Sequence, residues 1–402
     1  MVSVGIDVSK GKSMVCMLRP CGEVACSPYE VEHTEQSIRE LVKRISLLED
    51  EARVVMEATG AYHLPLLVVL KQAEIFVNVI NPLSMKKYAS SAIRKGKTDK
   101  MDAVRIANYG LDNWFKLIDH VFSEDIRAEL NILGRQYAHY ISVKVSCVLA
   151  LTSLLDRTMP GIKGVLPGNR SDLSDKNKLC DFVEKYQHFD KITNMSKKKF
   201  VASYQRWAKK KGYQRSEAKA EEIFALATEG IPTLPSGAPS TRIMTLESVR
   251  VLKEVSMTVN VILSQMQILA QTLPEYPVVR AMKGVGDKLA PRLIAEIGDV
   301  SRFRCGSCLV AYAGIDSPPF QSGAFVGIRR KISKRGSSLL RKTGYEVMRC
   351  LKTTKPTCDN AVYLFILKKE SEGKAKKAAK IAGLNKFLRI YYARVMEVYA
   401  EA

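Results

Sequence analysis

The sequence lacks the features that mark membrane and secreted proteins. Its 402 residues contain no uninterrupted apolar run near the roughly 18 residues that a membrane-spanning helix requires, and they begin with a strand-like VSVGIDV instead of a signal peptide. The nine cysteines are scattered and odd in number, unlike the dense, even set of a small secreted domain. We therefore expect a soluble, intracellular protein of the cytoplasm with reduced thiols.

Residue types that bind zinc or activate a nucleophile are also sparse. The five histidines fall in no metal-ligand spacing, and no Ser–His pair is indicated. Cys305 and Cys308 form a CxxC motif, but no second CxxC or pair of histidines completes the four ligands of a structural zinc site. Zinc is therefore not expected.

Acidic residues are outnumbered by basic ones. The chain has 41 Asp and Glu against 63 Lys and Arg, a net charge of +22 and a pI near 9.5. More than half of this excess lies in residues 320–402, which contain 19 basic and 6 acidic residues. Such a balance favours a polyanionic partner such as nucleic acid, with an anionic membrane as the competing partner.

The first 115 or so residues alternate between strand-like and helix-like runs, which is typical of an α/β domain. VSVGIDV, SMVCMLR and GEVACSPYEVE predict three strands of an antiparallel meander, and QSIRELVKRISLL predicts a helix. ARVVMEATG and IFVNVIN follow as buried strands, separated by the helical AYHLPLLVVLKQ. This order of elements is that of the ribonuclease H-like fold.

The rest of the chain is predicted to be mostly α-helical. Apolar periodicity indicates long helices over about 124–157 and 246–273, which would pair as an antiparallel coiled coil. Between them, segments rich in Pro and Gly delimit a helical insertion at about 158–245. We therefore predict three domains: an α/β domain at 1–118, a helical coiled-coil region at 119–275 and a mostly α C-terminal domain at 276–402.

Four acidic residues form a candidate metal site. Asp7 and Glu57 lie on predicted strands of a sheet that is otherwise apolar, where an unpaired carboxylate is costly. Asp99 and Asp102 have the i, i+3 spacing that places both on one face of a helix start. Such a cluster would bind two Mg²⁺ ions for phosphoryl transfer. The alternative is that all four are ordinary strand-end and helix N-terminal acids.

Several ordered motifs resemble one known family. GIDVSK, MEATGAYHLPL, VNVINP and GKTDKMDA resemble the N-terminal RuvC-like domain of the DEDD transposases of the insertion-sequence-110 family, which includes the Piv-type DNA invertases. MKGVGDKLAPRLIAEIGD, FRCGSCLVAYAGIDSPPFQSG and RRKISKRGSSLLRKTGYEVM resemble the C-terminal transposase domain of that family. The insertion at 158–245 departs from the compact members.

The resemblance implies specific roles. It assigns Asp7, Glu57, Asp99 and Asp102 to the DEDD metal site, and Ser322 to a serine that links covalently to DNA phosphate. It also implies a structured bridge RNA that pairs with donor and target DNA, and a place at the prokaryotic nucleoid. From the residues alone, Ser322 lies in a turn-like PPFQSGAF beside a glycine, where backbone can approach a phosphate closely.

Two basic segments are candidate nucleic-acid contacts. GVGDKLAPRLIAEIG resembles a helix-hairpin-helix, whose backbone amides would face a phosphate, although an ordinary helical turn has the same pattern. The basic helices after residue 328 would line a nucleic-acid channel, whereas 368–380 is equally consistent with a solvated lysine-rich face. The predicted contacts are Lys283, Gly284, Gly286, Lys288, Arg329, Arg330, Lys331, Lys334, Arg335, Arg341 and Lys342.

The leading hypothesis from the sequence is an RNA-guided transposase that recombines DNA as a dimer or tetramer. The coiled coil offers an association surface, and exchange between two DNA sites requires several cut strands to be held together. One alternative is a RuvC-like junction nuclease that uses only the acids and water, and another is a DNA invertase of the same family. A third is an inert nucleic-acid-binding protein whose acids are surface residues.

Overall fold

The computed structural model describes residues 1–90, 98–120, 126–166, 177–317, 321–322, 325–326 and 331–401. The chain forms two compact units, Met1–Phe122 and Ser123–Ala402. The helical region and the C-terminal region, predicted as separate domains, fall within the second unit.

Unit 1 is built on a mixed five-stranded sheet in the order β3-β2-β1-β4-β5. β1 pairs antiparallel with β2, and β2 with β3, whereas β4 and β5 extend the sheet on the other side of β1 in parallel. The strands are β1 (Val2–Val8), β2 (Lys12–Leu18), β3 (Val24–Glu32), β4 (Ala52–Glu57) and β5 (Val77–Ile80).

Helices cover both faces of this sheet. Ile38 and Leu41 of α1 and Leu66 of α2 pack with the apolar residues of β1 on one face, while Ala103 and Ala107 of α4 pack with β2 on the other. Burial of both faces explains why the strands read as nearly continuous apolar runs. The helices are α1 (Glu35–Ser46), α2 (Leu64–Gln72), α3 (Pro82–Ser90) and α4 (Asp99–Asp112), with 3₁₀ turns at Pro20–Gly22 and Trp114–Lys116.

The first part of unit 2 consists of two long helices and the insertion between them. Its helices are α5 (Ile126–Thr158), α6 (Ile162–Val165), α7 (Lys178–Tyr186), α8 (Asp190–Thr193), α9 (Lys197–Lys211), α10 (Glu217–Glu229) and α11 (Pro239–Gln271). The short helices pack around buried aromatic rings, among them Phe182, Phe200, Tyr204 and Trp207. The insertion therefore has a hydrophobic core of its own.

The two long helices, α5 and α11, run antiparallel along each other. Near the start of α5, Leu130 packs with Met266 in one core, and near its end Leu151 packs with Val249 in another. Among the described helices, α5 alone is long and apolar enough to cross a membrane by length and composition. This is weak evidence of a span, since core helices of soluble proteins pass the same test.

The C-terminal part of unit 2 is mostly helical with one small β-hairpin. Its core is continuous with the base of the long helices, because Leu130 and Met266 pack in the same cluster as Leu293, Phe387 and Tyr391. The elements are α12 (Tyr276–Ala281), α13 (Gly286–Ile297), a 3₁₀ turn (Val300–Arg302), α14 (Gly306–Tyr312), β6 (Gln321–Ser322), β7 (Phe325–Val326), α15 (Ser338–Thr354), α16 (Ala361–Ser371) and α17 (Lys376–Glu401).

The predicted architecture is confirmed at the level of elements. Unit 1 contains the expected succession of three strands, a helix, a strand, a helix and a strand, and the remainder is largely helical with long helices close to the predicted positions. The sequence did not predict α3 or the β6–β7 hairpin.

Candidate active site at the corner of unit 1

Asp7 and Glu57 lie side by side at the carboxyl ends of adjacent parallel strands. β1 and β4 pair in parallel with Ile6 opposite Met56, and the two acids are the next residue on each strand. Neighbouring strands are about 4.8 Å apart. Both side chains are half-buried, so the sheet holds two carboxylates close together and partly out of water.

Helix α4 covers the face of the sheet that Gly5 presents. A Cβ at Gly5 would collide with the backbone of Ala103 and Ala107, and a Cβ at Gly110 would collide with the Ser3 hydroxyl. Ser3 and Gly5 thus lie on the same face of β1, with Ser3 near the end of α4 and Gly5 near its middle. The helix therefore runs antiparallel to β1 in very close contact.

This contact places the start of α4 beside Asp7. Two residues of strand advance about 6.6 Å, which equals four to five residues of helix at about 1.5 Å each. The step from Gly5 to Asp7, which share a face of β1, therefore leads to the first turn of α4, where Asp99 and Asp102 lie. Glu57 occupies the equivalent position on the neighbouring strand, so the backbone places the four acids, from three chain segments, near the same corner of unit 1.

The first turn of α4 is fixed by a side-chain cap. The Thr98 hydroxyl accepts a 3.2 Å hydrogen bond from the backbone N–H of Met101, which satisfies one free donor at the helix start. Asp102 accepts a 2.8 Å charged hydrogen bond from Arg105, one turn further on. Asp99 is exposed. The cap and this ion pair stabilise the first turns of α4 itself.

Lys12 is a cation near this corner that the sequence analysis did not single out. The Glu30 carboxylate, which accepts a 2.7 Å hydrogen bond from Lys12 Nζ, raises the pKa of that lysine, and the negative charge of Asp99 adds to the shift. Lys12 therefore lies within electrostatic reach of Asp99. Two sequence signals would have found these cations. Lys12 follows the turn in SKGKS, and Arg105 lies three residues after Asp102 in DAVR, the spacing of an ion pair on a helix.

The donor set at the corner suits a hard divalent cation. All four side chains offer carboxylate oxygens, the ligands that Mg²⁺ prefers. Within the part of the chain that the structure describes, no three acidic, histidine or cysteine side chains are already grouped as a metal cluster. The backbone alone brings the four acids to this corner.

Ser322 lies in a β-hairpin of unit 2. Its backbone pairs with Phe325, so Ser322 is the last residue of β6 before the hairpin turn. The turn-like sequence around it thus belongs to a hairpin, but its side chain and Gly323 lie outside the described residues.

The predicted helix-hairpin-helix segment forms two consecutive helices, α12 and α13, that contact each other. Gly284 and Gly286 between them both have positive φ, 85° and 63°. A Cβ at Gly284 would press on Leu351, whereas Gly286 faces open space. Gly284 is thus required for packing, and Gly286 leaves the start of α13 accessible, with Lys288 exposed beside it.

The remaining predicted contacts differ in their surroundings. Lys331, Lys334, Arg335 and Lys342 are exposed, and Lys283 is half-buried. Arg341 donates hydrogen bonds of 2.9 and 3.1 Å to the backbone carbonyls of Ala313 and Gly336, which gives it a part in holding this loop. Arg329 and Arg330 lie outside the described residues.

The CxxC motif begins α14 as a close pair of thiols. The Sγ atoms of Cys305 and Cys308 are 3.6 Å apart and both residues are exposed. No third metal-binding side chain joins them among the residues that the structure describes.

Comparison with known proteins identifies two family models in the chain. A DEDD transposase model of the IS110 type matches residues 4–160, and the model described as "Transposase IS116/IS110/IS902 family" matches residues 276–363. The first match contains all four candidate acids and the second contains Ser322. Together the two matches account for more than half of the chain, and neither includes helices α6 to α11.

The chain is also similar to two other proteins and to one solved structure. An uncharacterized protein of the insertion element IS110 from Streptomyces coelicolor is 22% identical over 81% of this chain and 78% of its own length. The pilin gene-inverting protein of Moraxella lacunata is 22% identical over 98% of this chain and 95% of its own. The RuvC structure from Thermus thermophilus aligns with 28% of this chain and 95% of its own at 15% identity and a TM-score of 0.22. On the two family matches, this chain belongs to the IS110 family of transposases, enzymes that cleave and recombine DNA.

Proposed function

We propose that the protein is the transposase of an insertion sequence and that Asp7, Glu57, Asp99 and Asp102 form its catalytic carboxylate site. The observation that supports this proposal most is the close antiparallel contact of α4 with β1, which brings the four acids to one corner of unit 1. We further propose that unit 1 is a ribonuclease H-like, RuvC-like domain, because its order of elements is the one predicted for that fold.

The four carboxylates would hold divalent cations, with Mg²⁺ the expected ion. Bound there, such ions would stabilise the negative charge that develops on the attacking and leaving oxygens during phosphoryl transfer. The chain's own contribution is to hold the carboxylates in place, through strand pairing for Asp7 and Glu57 and through the Thr98 cap for the start of α4.

We propose Ser322 as the nucleophile. Its hydroxyl oxygen would attack the phosphorus of a DNA phosphodiester, forming a serine–phosphate bond as the bond to one deoxyribose oxygen breaks. The proton lost by Ser322 ends on that departing oxygen, and the reverse reaction with a new strand end rejoins the DNA. The position of Ser322 next to the turn of a small hairpin supports this role, since functional residues are often found on or beside loops.

Two partners complete the proposal. A structured bridge RNA would pair with donor and target DNA, and a dimer or tetramer would hold the cut strands together. We also propose that α12 and α13 form a helix-hairpin-helix and that α5 and α11 form a coiled coil. The exposed basic residues around α13 and α15, among them Lys288, Lys334 and Arg335, would contact phosphates.

A recombination assay tests the chemistry. It contains donor DNA, target DNA, Mg²⁺ and RNA from the flanks of the element, and it compares wild type with Ser322→Ala and with Ser317→Ala as a matched control from the same loop. We expect a denaturation-resistant protein–DNA adduct that is lost only in Ser322→Ala. Mg²⁺-dependent cutting that survives in Ser322→Ala would instead indicate hydrolysis by a junction nuclease.

The same assay tests the carboxylates and the RNA. Asp7→Asn should reduce cleavage by at least about 10³-fold, since loss of one metal ligand disrupts the electrostatic stabilisation of the reaction. Glu32→Gln, at the exposed end of β3, should leave it unchanged. Recombination at full rate in Asp7→Asn would show that Asp7 is not a catalytic ligand, and the absence of any Mg²⁺-dependent reaction in wild type would support the inert binding protein. Recombination at full rate without RNA would contradict RNA guidance.

A second candidate function is DNA inversion. The alignment with the pilin gene-inverting protein spans 98% of this chain, more than the alignment with the IS110 protein does. A substrate with two target sites in inverted orientation distinguishes the two, because inversion flips the segment whereas transposition moves it.

A further inference from the structure

The helical insertion presents a basic surface that neither family match includes. Helix α9 has the sequence KKKFVASYQRWAKKK, with seven basic residues and no acid. Lys199, Arg206 and Lys210 are spaced by seven and four residues, which places them on one face of the helix over about 16 Å. All three side chains are exposed.

This face is not neutralised by the protein. The lysines at the ends of α9 have acidic partners, since Lys197 lies 2.8 Å from Glu221 and Lys211 lies 3.6 Å from Asp181. Among the described residues, Lys199, Arg206 and Lys210 have no acidic group within ion-pairing distance. The three cations of the face are therefore available to an external anion.

A fourth cation from another helix joins the same face. Lys185 of α7 donates 3.1 Å hydrogen bonds to the backbone carbonyl and the hydroxyl of Ser203. Partial burial lowers the pKa of Lys185, and the positive charge of nearby Arg206 lowers it further. Like charges held this close disfavour the folded state. The repulsion between Lys185 and Arg206 therefore opposes the stability that the two hydrogen bonds give.

The opposite face of α9 shows what does stabilise the helix. Phe200, Tyr204 and Trp207 are buried in the core of the insertion, and their rings pack against Phe182 and one another. An amphipathic helix that lies on a membrane needs an exposed apolar face, and a single-strand binding site needs exposed rings that stack on bases. All three aromatic residues of α9 face the core. A membrane surface and a single-stranded nucleic acid are therefore both disfavoured as partners of this helix.

We propose that the α9 basic face, formed by Lys185, Lys199, Arg206 and Lys210, binds the phosphate backbone of a nucleic-acid duplex without reading its sequence. The partner is defined by its regularly spaced phosphates, which DNA and duplex RNA share. This contact is separate from the carboxylate site and from Ser322. It gives the insertion a role as an additional point of attachment for the nucleic acid on which the transposase acts.

Binding of the full-length protein in EDTA tests this inference without any strand cleavage, so its failure leaves the proposed chemistry untouched. The probes are a 20-base-pair DNA duplex, an RNA duplex of the same sequence and the single strands. Their binding is measured by fluorescence anisotropy over a range of salt concentrations. The variant is Lys199→Gln, Arg206→Gln and Lys210→Gln combined. The matched control combines Arg39→Gln, Lys43→Gln and Arg44→Gln on α1, which removes the same charge from exposed positions.

We expect the α9 variant to bind duplex about tenfold more weakly or worse near 0.15 M salt, and its salt slope to fall by up to about 3, since each lost phosphate contact removes about 0.9. The control should stay within about twofold of wild type. If the α9 variant loses more affinity for one duplex than for the other, that duplex, DNA or RNA, is the preferred partner of the face. A charge-preserving variant, Lys199→Arg, Arg206→Lys and Lys210→Arg combined, should retain binding.

Three outcomes would overturn the inference. Equal losses in the α9 and α1 variants would show that only total charge matters. Unchanged duplex binding in the α9 variant would exclude the contact. Loss of binding to vesicles of phosphatidylserine and phosphatidylcholine, with duplex binding unchanged, would indicate a membrane instead. Thermal unfolding of each variant verifies that the insertion still folds.

Discussion

The corner of unit 1 and the insertion of unit 2 handle charge in opposite ways. At the corner, close backbone contact between β1 and α4 gathers acids from separate segments, and Arg105 pairs with one of them, Asp102. In the insertion, the buried acid Asp181 is neutralised by Lys253 and Lys211, while the cations of the α9 basic face remain exposed. Packing between distant segments thus brings the acids of the corner together, whereas helical periodicity aligns the cations of the α9 basic face.

The largest effect should come from disturbing the packing at the corner. Gly5→Ala places a Cβ against the backbone of Ala103 and Ala107, which cannot move aside as a side chain would. We expect a loss of about 1–3 kcal/mol or more in the free energy of unfolding, together with loss of DNA cleavage as α4 shifts away from Asp7. Chemical denaturation and the cleavage assay measure the two effects.

Gly164→Ala is the matched control, because an added Cβ there meets no atom within 4 Å. It should leave stability and cleavage near wild type. A Gly5→Ala protein with normal stability and normal cleavage would contradict the role that we give to the contact between β1 and α4.

A smaller effect is expected at the buried acid of the insertion. Asp181 on α7 accepts 2.7 Å hydrogen bonds from Lys253 on α11 and from the Tyr213 hydroxyl, and so ties the insertion to the long helices. Asp181→Asn should lower the free energy of unfolding by about 1–3 kcal/mol, less than for a fully buried pair because the site is partly exposed. Glu184→Gln, which removes the exposed partner of Lys253, should cost below about 1 kcal/mol.

The effect of Asp181 should depend on pH. Burial raises the pKa of Asp181, but the hydrogen bonds from Lys253 and Tyr213 outweigh burial, and the pKa lies below its ordinary value of 3.8. A carboxyl with a depressed pKa contributes stability above its unfolded pKa and loses it as the pH falls through the folded one. The difference between wild type and Asp181→Asn should therefore shrink below about pH 4. A difference that is constant down to pH 2 would rule out this ion pair as its source.

The smallest effect is expected at an exposed ion pair. Arg39 and Glu35 on α1 are 2.7 Å apart, but about two thirds or more of each side chain is exposed. Arg39→Ala should change the free energy of unfolding by less than about 0.5 kcal/mol. A change above about 1 kcal/mol in the free energy of unfolding, measured by thermal or chemical denaturation, would contradict the small contribution that we expect from an exposed ion pair.

Local patterns in the sequence explain most of the fold that could be predicted. Continuous apolar runs predicted β1, β4 and β5, and the Thr98–Asp99 pair marks the start of α4 through its cap. The two long helices followed from apolar spacing over about 124–157 and 246–273, although α11 begins earlier than predicted, at Pro239. These features depend on neighbours in the chain, so a single sequence contains them.

Features that depend on distant contacts could not be predicted. The face of β1 that meets α4 is decided by Gly5 and Gly110, and nothing near these glycines in sequence indicates their partners. Arg341 is a basic residue of the type that contacts phosphates, yet it donates a hydrogen bond to the backbone carbonyl of Ala313, 28 residues earlier in the chain. The strands of the β6–β7 hairpin have two residues each, too few for any periodicity.

The antiparallel pair of α5 and α11 sets a distance. Leu130 belongs to the core at one end of the pair and Leu151 to the core of the insertion at the other, and 21 residues of helix between them span roughly 30 Å. At about 3.4 Å per base pair, that length equals about nine base pairs of duplex. The helical pair thus fixes the separation of the two cores. On our proposals for the basic residues near α13 and for the α9 basic face, a duplex held at both ends would be protected from nuclease in two patches nearly one helical turn apart.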